Sequence, residues 1–289
     1  MIIVQFSGGL GNQLSQYALY LEYKTRGLDA RADLSWYGSA QPKTEGVDTR
    51  KLELPLLGIE PGKELITCPA GYEYYGHEGG LGRYVRRIMV GPAYFEQGYK
   101  FTPQLLDVKK GYVMGGCFLG EQYIPTCEAL LRQKIRFTAS DSDYIRSMKE
   151  KIESVNAVSI HMRLGDYLNN DSLYGGICTT SYYKKAVETI RAKTDNPVFF
   201  LFSNDVVKAQ ELLGIDGVIP VEGNTGDRSY LDMYLMSLCR HNIIANSTFS
   251  WWGAWLNGHE DKIVCCPETL LNGYDNGIVY CKDWIRVPS

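Results

Sequence analysis

No uninterrupted apolar stretch in this chain approaches the roughly 18 residues that a membrane-spanning helix requires. Nothing at its start resembles an export signal either, because Met1-Ile2-Ile3-Val4-Gln5-Phe6 reads as a strand without a basic flank or a cleavage site. A cytoplasmic location is the expectation. There is no excess of positive charge: 30 Lys and Arg face 33 Asp and Glu, for a formal net charge of −3. That balance argues against nucleic acid or an anionic membrane as the main partner, while leaving single arginines able to hold a small anion. None of the eight cysteines stands in a C-x-x-C pair, so they are expected as free thiols. Cys239 and His241 lack the further paired ligands of a zinc site. Internal repeats and low-complexity segments are absent. The 289 residues, 45% hydrophobic and 22% charged, suit one large globular domain or two of moderate size.

What is present is alternation. Apolar runs at residues 2–6, 111–119, 158–162, 197–202, 218–221, 242–245 and 263–266 read as strands, the last closing a sheet. Helical spacing covers residues 14–27, 140–153, 180–193 (capped by Thr180 or Ser181), 206–213 and 231–238. Residues 35–80, punctuated by Pro42, Pro55, Pro61 and Pro69, read as loops and short helices. Strands alternating with helices predict βαβ units and a parallel sheet.

In an open α/β sheet, ligands bind outside the carboxyl ends of the strands, so polar residues directly after a buried strand stand where a ligand arrives. Residues 157–166, Ala-Val-Ser-Ile-His-Met-Arg-Leu-Gly-Asp, fit that description. The planar donor fork of Arg163 matches a phosphate or carboxylate, although the same cluster also suits a structural ion pair at a strand end. Residues 169–176 read as a loop over a ligand. A second junction is Ser7-Gly8-Gly9-Leu10-Gly11-Asn12-Gln13, where glycines allow a close backbone approach and a helix start favours an anion or sugar oxygens. It is neither a dinucleotide fingerprint, since Leu14 replaces the third glycine, nor a P-loop, since it lacks Gly-Lys-Ser/Thr. A tight connection alone would also explain it. The third junction is Asn246-Ser247-Thr248-Phe249-Ser250-Trp251-Trp252-Gly253-Ala254-Trp255, with hydroxyls at a helix start and tryptophans expected in the core. Trp284 reads as an anchor for the tail. Asp141-Ser142-Asp143 has the D-x-D form of metal-dependent sugar transfer, but at a helix start capping is the better expectation.

These three segments, in this order and spanning nearly the whole chain, resemble those of the bacterial α-1,2-fucosyltransferases, glycosyltransferase family 11. The resemblance extends to the superfamily of α-1,6- and protein O-fucosyltransferases. It implies an α/β, GT-B-like architecture of two Rossmann-like halves with parallel sheets facing a cleft. Residues 1–150 would be the acceptor-side domain and residues 151–289 the GDP-fucose-binding domain. It also implies GDP-β-L-fucose as donor, inversion at the anomeric carbon, no metal or other cofactor, and the 2-hydroxyl of a terminal galactose in an oligosaccharide or lipid-linked glycan as acceptor. His161 matches the position that helps hold the guanine end, Arg163 the arginine on the diphosphate, and Asp232 an aspartate that reads guanine. Ser247, Thr248 and Ser250 match the hydroxyls at the phosphates, and Asn12 an asparagine near the sugar. Leu164 departs from the pattern, in which many relatives have a second arginine. Asp166 is the candidate general base, or else a brace for Arg163. Rival readings are α-1,6 transfer, a non-catalytic GDP-sugar or glycan binder, and a nucleotide hydrolase.

Overall fold

Short runs rich in Ile, Val and Phe become the inner strands of two separate parallel sheets. The computed structural model describes residues 1–38, 49–74, 88–138, 142–164, 173–274 and 279–289. The chain divides into two compact units, residues 1–138 and 139–289. Residue 150 therefore falls inside a helix of the second unit, Asp143–Glu153.

In the first unit β1 (Ile2–Gln5) is buried throughout and leads through a glycine turn into α1 (Leu10–Thr25). β2 (Ala30–Asp33), β3 (Ala93–Phe95) and β4 (Gly111–Met114) complete a sheet ordered β2-β1-β4-β3, with every pair parallel. Short 3₁₀ turns such as Leu54–Leu57 and Pro103–Asp107 connect them, and α2 (Glu128–Lys134) follows. β4 stops at Met114 rather than running to Leu119. Gly115 turns left-handed at φ 68°, and a Cβ on Gly116 would lie 2.4 Å from the Phe118 ring. β2 and β3 escape sequence reading for a plain reason: Ala-Arg-Ala-Asp carries no apolar run, and β3 is a three-residue edge strand with Phe95 exposed.

The second unit opens with α3 (Asp143–Glu153) and continues β5 (Ala157–Met162), α4 (Thr180–Arg191), β6 (Val198–Ser203), α5 (Val206–Leu213), β7 (Ile219–Pro220) and α6 (Tyr230–Leu238). β8 (His241–Ile243), α7 (Thr248–Leu256), β9 (Val264–Pro267) and β10 (Ile285–Val287) follow. The sheet order is β10-β9-β8-β5-β6-β7, all parallel, so β10 and not the strand at 263–266 closes it. From β5 the chain winds outward to β6 and β7, then jumps back to β8 on the other side. That is the doubly wound Rossmann order, with its switch point between β5 and β8.

Helix ends follow local chemistry. Thr179, one residue before the expected cap, sits in extended backbone and accepts from the Tyr182 amide at 3.2 Å. Asp205 caps α5 by accepting from the Lys208 amide at 3.1 Å, and Gly214 ends that helix at φ 58°. Val158, Ile160, Tyr182, Tyr183, Phe199, Leu201 and Ile243 form the core under α4; each such side chain fully removed from water contributes about 1.5–3 kcal/mol. Among the described residues no helix is long and apolar enough to cross a membrane.

Candidate active site

Because every strand of the second sheet is parallel, the residues following β5, β6, β7 and β8 share one edge. β5 delivers His161 to the switch point. Its backbone carbonyl accepts from the Tyr183 hydroxyl at 3.0 Å, and its ring lies against Phe249, centroids 5.7 Å apart. The imidazole is 6% exposed and its Nδ1 is buried without a hydrogen-bond partner. Burial, reinforced by the nearby Arg163 guanidinium, lowers its pKa to about 3, so the ring is neutral at physiological pH. Arg163 follows, half-buried, at the end of the strand. Leu164 turns the other way: its side chain joins the core and its amide donates to Asn204 Oδ1 at 2.9 Å. The position where the resemblance would lead one to expect a second arginine is thus a packing position here.

Across the switch point, Ser247 caps α7, its hydroxyl accepting from the Phe249 amide at 3.3 Å. Thr248 and Phe249 are half-buried in the first turn, which contains no acidic residue. Capped amides, two hydroxyl-bearing residues and a nearby guanidinium make this end of α7 receptive to an anion. Ser250 does not join them. It is fully buried and its hydroxyl donates to the Ala245 and Ser247 carbonyls, both at 3.3 Å, which braces the turn from inside. Asn246 is also a brace, donating to Tyr174 and Leu270 carbonyls at 3.2 Å. Trp251, Trp252 and Trp255 are core residues as expected, and Trp284 packs on Trp251 at 5.4 Å.

Asp232 lies in the first turn of α6, half-buried, and its Oδ1 accepts from Asn224 Nδ2 at 2.8 Å. Burial pushes its carboxyl up to about 7, against the opposing effect of Asn224.

In the first unit Gly8 takes φ 78°, and a Cβ there would lie 2.7 Å from Asn12 Nδ2, so the glycine makes room for the asparagine. Asn12 is half-buried at the start of α1. Its neighbour Gln13 is buried and fully engaged: Nε2 donates to the Gly8 carbonyl at 3.0 Å and to the Lys51 carbonyl at 2.8 Å, and Oε1 accepts from the Glu53 amide at 2.8 Å. Gln13 therefore staples residues 51–53 to the glycine turn.

Asp141, Asp166 and the first part of the 169–176 loop lie outside the described residues. Asp143 opens α3 on the surface and pairs with Arg146 at 2.9 Å, without a capping hydrogen bond from Ser142. None of the eight cysteines is joined in a disulfide. His241 is held by the Ile263 amide at 3.0 Å and Thr194 Oγ1 at 3.3 Å. Among the described residues no three His, Cys, Asp or Glu side chains converge as metal ligands. The site thus brings together His161, Arg163, Ser247, Thr248 and Phe249, with Asp232 on the same sheet edge. Phe249 stood inside the third junction without a role of its own, and Asn204 and Asn224, which hold the Leu164 amide and Asp232, were not legible because a lone Asn after a strand carries no spacing signal.

The model of "Glycosyl transferase family 11" matches residues 92–287, from β3 to β10. The chain belongs to glycosyltransferase family 11. This glycosyltransferase is 30% identical over 301 residues to the Escherichia coli O-antigen biosynthesis glycosyltransferase WbnK, covering 97% of this chain and 98% of that one. It is also 30% identical over 309 residues to an E. coli α-1,2-colitosyltransferase, covering 100% and 99%. To the Rattus norvegicus galactoside α-(1,2)-fucosyltransferase 2 the identity is 28% over 141 residues, 46% of this chain and 40% of that one.

Proposed function

We propose that this enzyme transfers L-fucose from GDP-β-L-fucose, with inversion, to the 2-hydroxyl of a terminal galactose in an oligosaccharide or lipid-linked glycan. The observation that carries the reading is the meeting of His161 with Phe249 at the switch point, beside Arg163 and the start of α7. Cleaving the bond from fucose to diphosphate leaves negative charge on GDP and positive charge on the sugar ring. Preorganised donors aimed at the leaving oxygens lower that barrier. Arg163, Ser247, Thr248 and the first amides of α7 supply such donors without a cation, so the transfer is proposed to be metal-independent. Asp232 is assigned to the guanine, Asn12 to the donor sugar, and Asp166 to the proton of the acceptor hydroxyl. A neutral His161 with a pKa of about 3 is too weak a base for that last role. Ser250 is left out of the contacts because its hydroxyl serves the turn.

The relative named for α-1,2-colitosyl transfer supports a second reading, in which the same site moves colitose, the 3-deoxy counterpart of fucose, to the same type of hydroxyl. One experiment separates them: GDP release from GDP-fucose and from GDP-colitose, each with and without lactose and with EDTA present, followed by linkage analysis. Lactose-dependent release from GDP-fucose yielding 2′-fucosyllactose supports the first reading and metal independence together. Release from GDP-colitose alone supports the second. Release equally fast without acceptor would mark a hydrolase.

A further inference from the structure

Where the nucleobase would sit, the chain has built more than one carboxylate. The first turns of α3 and α6 and the loop after β7 lie at the same edge as the carboxyl ends of the strands, because α3 runs down to the start of β5 while α6 begins just after β7. The two helices pack together. Tyr144 from α3, 39% exposed, accepts from the Glu222 amide at 2.9 Å and feels the charge of Asp232. Two residues beyond Glu222, Asn224 is 95% buried, with Nδ2 on Asp232 Oδ1 and its own Oδ1 buried without a partner. Turning the amide over would set its oxygen against an ionised carboxylate, so the observed orientation is the one that suits a charged Asp232.

We infer that Asn224 is a positioning residue for purine recognition: by donating to Asp232 it aims the carboxylate and favours its ionised form. The remaining lone pairs of that carboxylate then accept from adjacent ring N–H and amino donors of a guanine-type base. This rests on the GDP-sugar reading above. Adenine and uracil do not present two neighbouring donors on one edge, so the same pair also sets base specificity. Among the described residues, Tyr144 on α3 feels the charge of Asp232, and the charged and titratable groups near it in sequence are Glu222 in the loop, Asp227 and Arg228 in the turn Gly226–Arg228, and Tyr230 and Tyr234 on α6 itself. α7, which packs on α6, carries no titratable side chain. Asn224 is thus the group whose hydrogen bond favours the ionised carboxylate against burial.

The test is calorimetric binding of GDP, IDP (which lacks the 2-amino group), ADP and UDP between about pH 6 and 9, with wild type, Asn224→Ala, Asn224→Ser and Asp232→Asn. Wild type should bind GDP more tightly than IDP, and more weakly as pH falls through about 7. Asn224→Ala should move that midpoint up by about one pH unit, which weakens GDP binding about fivefold near neutrality while leaving it close to wild type at high pH. Asn224→Ser keeps a hydroxyl donor and should fall between them, which also guards against a variant that merely folds poorly. Asp232→Asn should bind weakly at every pH. A loss in Asn224→Ala that is equal at all pH values, or no loss, overturns the positioning role. Wild type that binds ADP or UDP but not GDP overturns the donor reading on which it rests, an outcome visible before any variant is made.

Discussion

The imidazole of His161 and the ring of Phe249 lie 5.7 Å apart at an angle of 37°, which ties the end of β5 to the first turn of α7. Two sequence segments nearly ninety residues apart thereby form one surface. The contact also helps keep the imidazole enclosed and uncharged, and that has a thermodynamic signature.

Protonating His161 in the folded protein requires a pH near 3, whereas an unfolded histidine takes its proton near 6.5. Between those values the unfolded chain holds more protons at this site, so its contribution to stability is complete above about pH 6.5 and is lost as pH falls toward 3. At pH 5 the loss is about 2 kcal/mol. Asp232, with its raised pKa, acts in the opposite sense, its protonated form favouring the fold below about pH 7. Urea unfolding across this range should therefore show a weaker acid sensitivity in His161→Phe than in wild type, and a stronger one in Asp232→Asn. Parallel curves for all three would refute both assignments.

Arg163→Ala should lower turnover of GDP-fucose by about 10²-fold or more with an unchanged melting temperature, because it removes a charged donor from the leaving group. Arg163→Lys should recover only part, since the planar fork is lost. The check is acceptor-dependent GDP release beside a thermal melt, and wild-type turnover in the alanine variant would remove Arg163 from the site.

Ser247 and Ser250 should separate. Ser247→Ala removes the α7 cap, at about 1 kcal/mol, and should also raise KM for the donor. Ser250→Ala removes the hydroxyl from two carbonyls that keep their backbone amide partners, so stability should fall by about 0.5–1.5 kcal/mol while KM of the folded fraction stays put. Steady-state kinetics with matched denaturation curves would show the split, and a KM change confined to Ser250→Ala would reverse the roles.

Gln13→Ala should be among the more disruptive changes in the first unit, since it removes three hydrogen bonds at once, to the Lys51 carbonyl, from the Glu53 amide and to the Gly8 carbonyl, the last keeping the Tyr37 hydroxyl at 3.2 Å. A loss of about 2–4 kcal/mol in chemical denaturation is expected. A change below about 0.5 kcal/mol would mean that water replaces the staple at no cost.

Asp141→Ala with Asp143→Ala should leave activity in EDTA unaltered, as Asp143 is spent on a surface pair with Arg146. A metal requirement that disappears in the double variant would show a cation site after all.

Much of the second unit was legible because its strands are apolar runs bounded by turn residues, and helix 206–213 is found at those same residues. The glycine turn, the Arg163 junction and the Ser247 junction were legible because each joins an abrupt change of polarity to a strand end. What escaped was set by tertiary context. β10 is three residues in a turn-rich tail and becomes a strand by pairing with β9. Ser250 carries the same hydroxyl as Ser247, and only the turn of α7 decides that one accepts from a backbone amide at the helix start while the other donates to carbonyls inside the turn. Gln13 looked like part of a ligand-facing motif, yet its partners at residues 51–53 lie in a segment without periodicity.

The jump from β7 back to β8 has a bearing on how the enzyme comes into being. β5 is made early, but its neighbour β8 and the helix that completes the anion-receptive corner are among the last third of the chain to be synthesised. Until then β5 presents one bare edge, with the backbone groups of Val158, Ser159 and Ile160 awaiting partners on β8. A ribosome-bound or truncated chain ending before His241 therefore lacks both β8 and the start of α7, and exposes a pairing surface on β5 instead. The open edge of β5 and the anion-receptive corner are thus completed by one late segment, residues 241–256.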